Sequence, residues 1–291
     1  MLDKKNSYIN QENLTNNPEN LEFFIEERNC IKFKSTPGNL NEDLIIKFAE
    51  TREEYEKAFH LVYMTYLKEG VIEPNNAQLR ITLYHALPTT KVLIVKKNNE
   101  VIATLTILLN SALGLPIYSI YGNELSQFKQ DKLLEIGSFA SDPNFIKYLR
   151  TIMVKFLIIV KHCTYVLDSD YVCIAANPKH KKFYEKVFLF EKTADFKYYN
   201  NNENNIKKAP SILLISHLKK NILSEEYMKS FNKNLCMYLR NEINLETGKM
   251  TEDELRYFFI KETNIFKNTE KNKIKYISNL YSTYDFNRII N

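Results

Sequence analysis

Two hydrophobic periods alternate along this chain. Tyr55, Phe59, Val62, Tyr63, Tyr66 and Leu67 recur every three to four positions, the stripe of a helix buried along one face. Thr51 precedes the stripe with Glu54 three residues on, a capping-box pair, and Gly70 closes it. Leu44–Ala49 reads as a short strand before it. Arg80 to Ala86 reads as a second, short helix stopped by Pro88. Lys91–Lys97 and Val101–Leu109 are β-rich and meet at Asn98-Asn99. Asparagine tolerates the positive φ of a tight turn, so these runs predict a hairpin. A short helix around Glu124 and a strand over Leu133–Ala140 follow. Asp142-Pro143-Asn144 then opens a helix whose stripe is Phe145, Leu149, Ile152, Met153, Phe156 and Val160. Tyr171–Ala175 is a strand, and Pro178 opens a helix through Phe183 and Tyr184 to Val187. Phe188–Tyr199 and Ser211–Leu218 are the last strands, either side of an Asn-rich loop. From Ile222 the pattern is helical, in about three segments.

This order of elements predicts an α/β chain: a mixed, partly antiparallel central sheet flanked by helices, with a C-terminal helical extension. Residues 1–40 are polar, and read as a disordered leader with a short helix at Leu21–Glu27. The folded domain is expected over 41–219 and the extension over 220–291.

Composition narrows the chemistry. Only six glycines occur in 291 residues, and none between Gly137 and Gly248. No G-x-x-x-x-G-K-S/T or G-x-G-x-x-G phosphate cradle can be built from them. Forty basic against 35 acidic residues leave a net charge of +5, mild for a nucleic-acid binder, and no nucleic acid partner is expected. Cys30, Cys163, Cys173 and Cys236 lie too far apart in sequence for C-x-x-C, and Cys163 and Cys173 read as buried thiols. The opening residues lack the apolar core of an ordinary signal peptide, and a cytoplasmic location is expected. The five histidines form no H-x-x-x-H and no cluster with cysteine, so no zinc site is read. Gly137-Ser138-Phe139-Ala140-Ser141 is not a G-x-S-x-G elbow.

Several short segments carry a resemblance. Ala176-Asn177-Pro178-Lys179-His180-Lys181-Lys182-Phe183-Tyr184-Glu185 is similar to the last helix of the GNAT acyltransferase fold, although Leu189 stands where that fold has glycine. A narrower likeness runs through Val62-Tyr63 and Gly70, Arg80-Ile81-Thr82-Leu83-Tyr84-His85-Ala86-Leu87-Pro88, Ala103-Thr104-Leu105-Thr106, Gly114-Leu115-Pro116 and Glu124-Leu125. It continues through Glu135-Ile136-Gly137-Ser138-Phe139-Ala140, Asn177-Pro178-Lys179-His180 and Ala209-Pro210-Ser211. In this order they resemble the long-chain N-acyl amino acid synthases, relatives of the acyl-homoserine-lactone autoinducer synthases, over roughly residues 44–218. Tyr257-Phe258-Phe259 resembles the helical tail of larger members.

The resemblance implies transfer of a fatty acyl group from acyl carrier protein to the amine of an amino acid or similar small amine, with no bound cofactor. Coenzyme A-dependent relatives carry a glycine-rich pyrophosphate loop after the fourth strand. Here that place reads Ser141-Asp142-Pro143-Asn144, so acyl carrier protein is preferred to coenzyme A as donor. Glu135, flanked by apolar Leu134 and Ile136, is the candidate base, because burial raises a carboxylate's pKa; otherwise it is a solvent-facing strand residue. Gly137 and Ser138 are candidates for an oxyanion site at a bulge, or an ordinary strand segment. Tyr184 matches the tyrosine that protonates the leaving thiolate, unless it is a packed helix residue. Arg80 is the candidate grip on an acceptor carboxylate, with His85 and Phe139 beside it as substrate-binding residues. Lys147, Arg150, Lys155 and Lys161 offer a basic face to an acidic carrier, or a solvated one. The extension covers the acyl slot, touches a membrane surface, or, most simply, packs as extra helices. An S-adenosylmethionine-using autoinducer synthase is the near rival. Those synthases have an Arg three residues after the matching Glu, and Ser138 stands there. A non-catalytic acyl-binding or interaction module is the rival from another class.

Overall fold

The computed structural model describes residues 23–27, 30–33, 44–128, 132–188, 190–201, 206–217 and 247–290. Three strands open the chain: β1 (Phe23–Glu27), β2 (Cys30–Phe33) and β3 (Leu44–Phe48). After α1 (Arg52–Lys68) come the hairpin β4 (Lys91–Lys97) and β5 (Glu100–Leu109), α2 (Tyr118–Leu125), β6 (Leu133–Ser141), α3 (Leu149–Val166), β7 (Tyr171–Ala176) and α4 (Lys181–Phe188). β8 (Glu191–Lys192), β9 (Lys197–Asn201) and β10 (Ile206–Ser216) complete the sheet. Its order is β1-β2-β3-β4-β5-β6-β7-β10-β8, with β9 paired to β10 off that path. Only β6 and β7 run parallel among these pairs, as expected for two strands joined through a helix. The mixed sheet flanked by helices agrees with the sequence expectation.

Side chains alternate across the strands, so the sheet has two distinct faces. One lies under α3 and α4, where Leu105, Ile107, Ile136, Ile174 and Leu214 meet Ile152, Met153 and Phe156. On the other, Val92 and Ile94 meet Tyr55 and Phe59 of α1. Further along that second face, Leu108, Leu133, Cys173 and Leu213 meet Ile117, Tyr121 and Leu125 around α2.

Local signals behaved as chemistry requires. Asn98 and Asn99 take φ of +48° and +67°, closing the hairpin. Thr51 Oγ1 accepts the Glu54 N–H at 3.3 Å. The Glu54 carboxylate takes the Glu50 N–H at 3.1 Å and pairs with Lys96 at 2.9 Å.

Other expectations need correction. The leader supplies two strands in its described part, and the helix expected at Leu21–Glu27 is strand β1 over Phe23–Glu27. Ladder hydrogen bonds, β2 to β3 and β1 to β2, hold these segments where their own composition does not. The helix expected from Arg80 is a 3-10 turn over Leu83–Ala86 alone, since Arg80 N–H is tied to the Phe59 carbonyl at 3.1 Å. A 3-10 turn (Pro143–Tyr148) precedes α3, and another (Pro178–His180) precedes α4. The single strand expected over Phe188–Tyr199 is broken into β8 and β9, which pair with different parts of β10.

The helices expected before residue 247 fall outside the described residues. Beyond it, α5 (Glu252–Arg256) runs into a π-helical turn (Tyr257–Glu262), followed by α6 (Lys271–Asn279) and α7 (Phe286–Ile290). Phe258, Phe259, Phe266, Ile277 and Tyr281 are buried against α1 and β4. Tyr281 donates to the Ala86 carbonyl at 2.9 Å, and Lys91 Nζ to the Thr247 carbonyl at 2.9 Å. None of the described tail residues lines the cavity described below. Among the described residues, no helix is long and apolar enough to cross a membrane.

Gly248 is the hinge of this docking. Its φ is +72°, and a Cβ there would lie 2.9 Å from Phe48 Cβ and 3.2 Å from the Ala49 carbonyl oxygen. Gly248→Ala is therefore expected to lower the unfolding free energy by about 1–3 kcal/mol. Urea denaturation measures it; an unchanged midpoint and slope would mean the tail does not dock at this point.

Candidate active site

The site begins where two parallel strands part. β6 and β7 stay in register from Leu133↔Tyr171 to Glu135↔Cys173 and no further. Beyond that, β7 follows β10 to Ala176↔Ile212, while β6 follows β5 to Ser141↔Ala103. Between Thr106↔Gly137 and Thr104↔Ala140, β6 has one residue more than β5, a bulge holding Ser138 and Phe139. Ser138 sits at φ +50°, a left-handed conformation unusual for a residue with a Cβ. The sequence reading gave the conformational freedom to Gly137, yet Gly137 does not use it; a Cβ there would meet only Leu108 Cδ1, at 3.9 Å.

A cavity of about 340 Å³ fills the gap between the strands and reaches both faces of the sheet. Its lining includes all seven residues singled out from the sequence: Arg80, His85, Glu135, Gly137, Ser138, Phe139 and Tyr184. The side under α3 and α4 is apolar, walled by Ile136, Phe139, Met153, Ile174, Tyr184 and Phe190. Phe139 meets Phe156 edge-on at 6.2 Å, and Tyr184 meets Phe190 edge-on at 6.1 Å. Toward α1 the wall is polar, with Thr65, Tyr66, Arg80, Thr82 and His85.

Glu135 stands at the junction. It is 6% exposed and accepts the Ile117 N–H on Oε2 at 3.0 Å. Burial pushes its carboxyl up to about 8, with the Ile117 N–H opposing part of that rise. The Gly114-Leu115-Pro116 motif explains itself here: buried Leu115 and Ile117 anchor the loop that brings the Ile117 N–H to the carboxylate.

His85 Nδ1 accepts the Thr82 N–H at 3.0 Å, which leaves the proton on Nε2, 3.5 Å from Thr106 Oγ1. Burial, then the Arg80 charge, push its pKa down to about 3, so the imidazole is neutral at working pH. Phe59 packs edge-on against it at 4.9 Å. Arg80 is itself buried. Its charge reaches both His85 and the hydroxyl of Tyr66. The Tyr184 phenol is raised by burial and by the nearby Tyr66.

Tyr66 was missed as a site residue because it reads as one more member of the α1 stripe. Its place in the last turns of α1, one turn before the Gly70 break, was the available signal. At the mouth, Lys179 and Glu69 form an exposed ion pair at 2.5 Å. Asp142, where a pyrophosphate loop would begin, caps the following turn by accepting the Asn144 N–H at 2.9 Å. Of the basic residues expected to face a carrier, Lys147 is exposed; the side chains of Arg150, Lys155 and Lys161 lie outside the described residues. Among the described residues, no group of three or more His, Cys, Asp or Glu side chains is placed to hold a metal.

A parted parallel pair within a mixed sheet, carrying a bulged strand, defines a GNAT-like acyltransferase fold, and the chain is an N-acyltransferase. A family model described as N-acyl amino acid synthase FeeM matches residues 57–213, more than half of the chain, and the chain belongs to that family. The solved structure of FeeM, an N-acyl amino acid synthase from uncultured soil microbes, is similar with a TM-score of 0.54 at 23% identity. It covers 63% of this chain and 94% of that one. The AHL synthase LasI is more distant, with a TM-score of 0.43 at 10% identity over 59% of this chain and 89% of its own. The aminoglycoside acetyltransferase AAC(6')-Ib gives 0.42 at 10% identity over 64% and 97%. No curated protein matches the chain.

The raised Glu135 pKa makes stability pH-dependent. Between about 4.5 and 8 the folded chain keeps a proton that the unfolded chain has released. Stability therefore falls as pH rises through that window and levels off above it. Unfolding free energies at about pH 5 and about pH 9 are expected to differ more for wild type than for Glu135→Gln, which carries no titrating proton. Equal differences would place the Glu135 carboxyl in water.

Proposed function

We propose that this enzyme transfers a fatty acyl group from the thioester of acyl carrier protein to the amine of an amino acid or similar small amine. The observation that carries the reading is the two-sided cavity. An apolar half and a polar half with a buried arginine meet at the strand gap beside Glu135 and the bulge. An acyl chain in the apolar half gains about 0.8 kcal/mol per buried CH₂. Arg80 offers a guanidinium to an acceptor carboxylate in the polar half.

In this reading Glu135, once ionised, takes a proton from the acceptor ammonium. The amine nitrogen attacks the thioester carbon, and the carbonyl electron pair moves onto oxygen at the bulge of Gly137 and Ser138. Collapse restores the carbonyl and expels the thiolate, which takes a proton from Tyr184; the second proton on the new amide nitrogen passes through solvent to restore the phenol, and Glu135 returns its proton to solvent. Phe139 holds the chain beside the reacting carbon. His85, neutral with its proton on Nε2, serves as an uncharged donor to the acceptor. The Asp142 carboxylate at the start of the turn before α3 favours a donor that brings no pyrophosphate to that place. The folded domain of 41–219 contains every one of these residues, and we assign the 220–291 extension to buttressing it.

Mass spectrometry of lipid extracts from a host expressing the protein tests the reaction class. A new N-acyl amino acid is expected with wild type and absent with Glu135→Gln. No new product from soluble, folded wild type would overturn the reading. With purified protein, kcat/KM is expected to rise with pH and level off above about 8, because the base must be ionised to act.

A further inference from the structure

Tyr66, in the last turn of α1, shares the cavity lining with Ser138 of the bulge, and its surroundings give it more than a packing role. It is half-buried and lines the cavity. The backbone N–H of Ser138, the charges of Arg80 and Glu135 and the phenol of Tyr184 all lie near enough to act on its hydroxyl. Ser138 stands in the bulge between the paired residues Gly137 and Ala140, where its φ of +50° turns the strand. A tyrosine hydroxyl that accepts one hydrogen bond still has its own proton to donate. The Tyr66 phenol is thus a donor presented to the cavity that the bulge also lines, within the influence of the Ser138 amide and the Arg80 guanidinium.

We propose that Tyr66 is a catalytic residue whose hydroxyl donates to the oxyanion of the tetrahedral intermediate at the β6 bulge. The inference rests on the acyl-transfer reading above and deepens it. As the amine nitrogen bonds to the thioester carbon, the carbonyl π pair becomes a lone pair on oxygen. Tyr66 hydrogen-bonds that oxygen without giving up its proton. The C–S bond then breaks, the carbonyl re-forms, and Tyr184 protonates the departing sulfur. The two tyrosines thus have separate duties: one faces the oxygen, the other the sulfur.

Leaving-group dependence separates those duties. The donors are acyl thioesters of N-acetylcysteamine and of thiophenol, and the acceptor is an equimolar mixture of the common L-amino acids. Thiophenol leaves without needing a proton, so an acid that acts on sulfur matters less with it. Tyr66→Phe is expected to lower kcat about 100- to 1,000-fold with both donors, with KM little changed. Tyr184→Phe is expected to lose far more with the N-acetylcysteamine donor than with the thiophenol donor. Circular dichroism and thermal melting check that each variant is folded. Near wild-type turnover in Tyr66→Phe overturns the assignment and leaves the acyl-transfer reading standing. A loss confined to the N-acetylcysteamine donor also overturns it, moving Tyr66 to the sulfur. A wild type that forms no N-acyl amino acid from either donor overturns both. Should Tyr66→Phe fail to fold, 3-fluorotyrosine at position 66 reads the same role: a more acidic donor shifts kcat equally with both thioesters, and an unchanged kcat overturns the assignment.

Discussion

Parallel strands β6 and β7 share hydrogen bonds only as far as Glu135 and Cys173, and the candidate site depends on what happens after they separate. Backbone amides and carbonyls released from a ladder must find partners or face an opening. Each strand keeps its other neighbour, β5 or β10, so the sheet as a whole stays continuous around the gap. The extra residue in β6 accommodates the divergence: it puts a bulge in the strand, with Ser138 at a positive φ. A pocket that reaches both faces of a sheet brings a water-poor apolar surface and a polar one to the same point. Acyl transfer between a fatty thioester and a small charged amine has that same division of polarity.

Support for this gap comes from regions remote in sequence. The Arg80–Ala86 segment has no extended helix to hold it, so its position depends on tethers. Phe59 of α1 accepts the Arg80 N–H and packs against His85, and Tyr281 of the tail binds the Ala86 carbonyl. Phe258 packs edge-on against Phe59 at 5.4 Å. The tail thus buttresses the polar wall of the cavity from behind, although its described residues line none of it and it lies beyond the family match ending at residue 213. Glu135 is placed in the same indirect way, by a loop whose two buried residues fix one backbone N–H.

Much of this was legible in the sequence, for identifiable reasons. Asn98-Asn99 closes its hairpin because positive φ is cheap for asparagine, and Thr51 caps α1 because a hydroxyl fits the first free amide. Glu135 between two apolar neighbours predicts the burial that raises its pKa. The misses also have reasons. A helical stripe reports which face of α1 is turned inward, not whether that face meets packed core or open cavity, so Tyr66 read as core. The positive φ was expected at glycine, yet Ser138 adopts it, because the bulge is set by strand divergence and not by local preference. β2 pairs with β3 and β1 with β2, a pairing that a polar leader sequence does not announce.

The most direct test of this division of the cavity is a co-crystal structure with an N-acyl amino acid. The acyl chain is expected under α3 and α4, among Ile136, Phe139, Met153 and Ile174, with the carboxylate at Arg80 and the amide beside Glu135 and Ser138. A ligand bound in the reverse sense, or outside the gap between β6 and β7, would contradict the account.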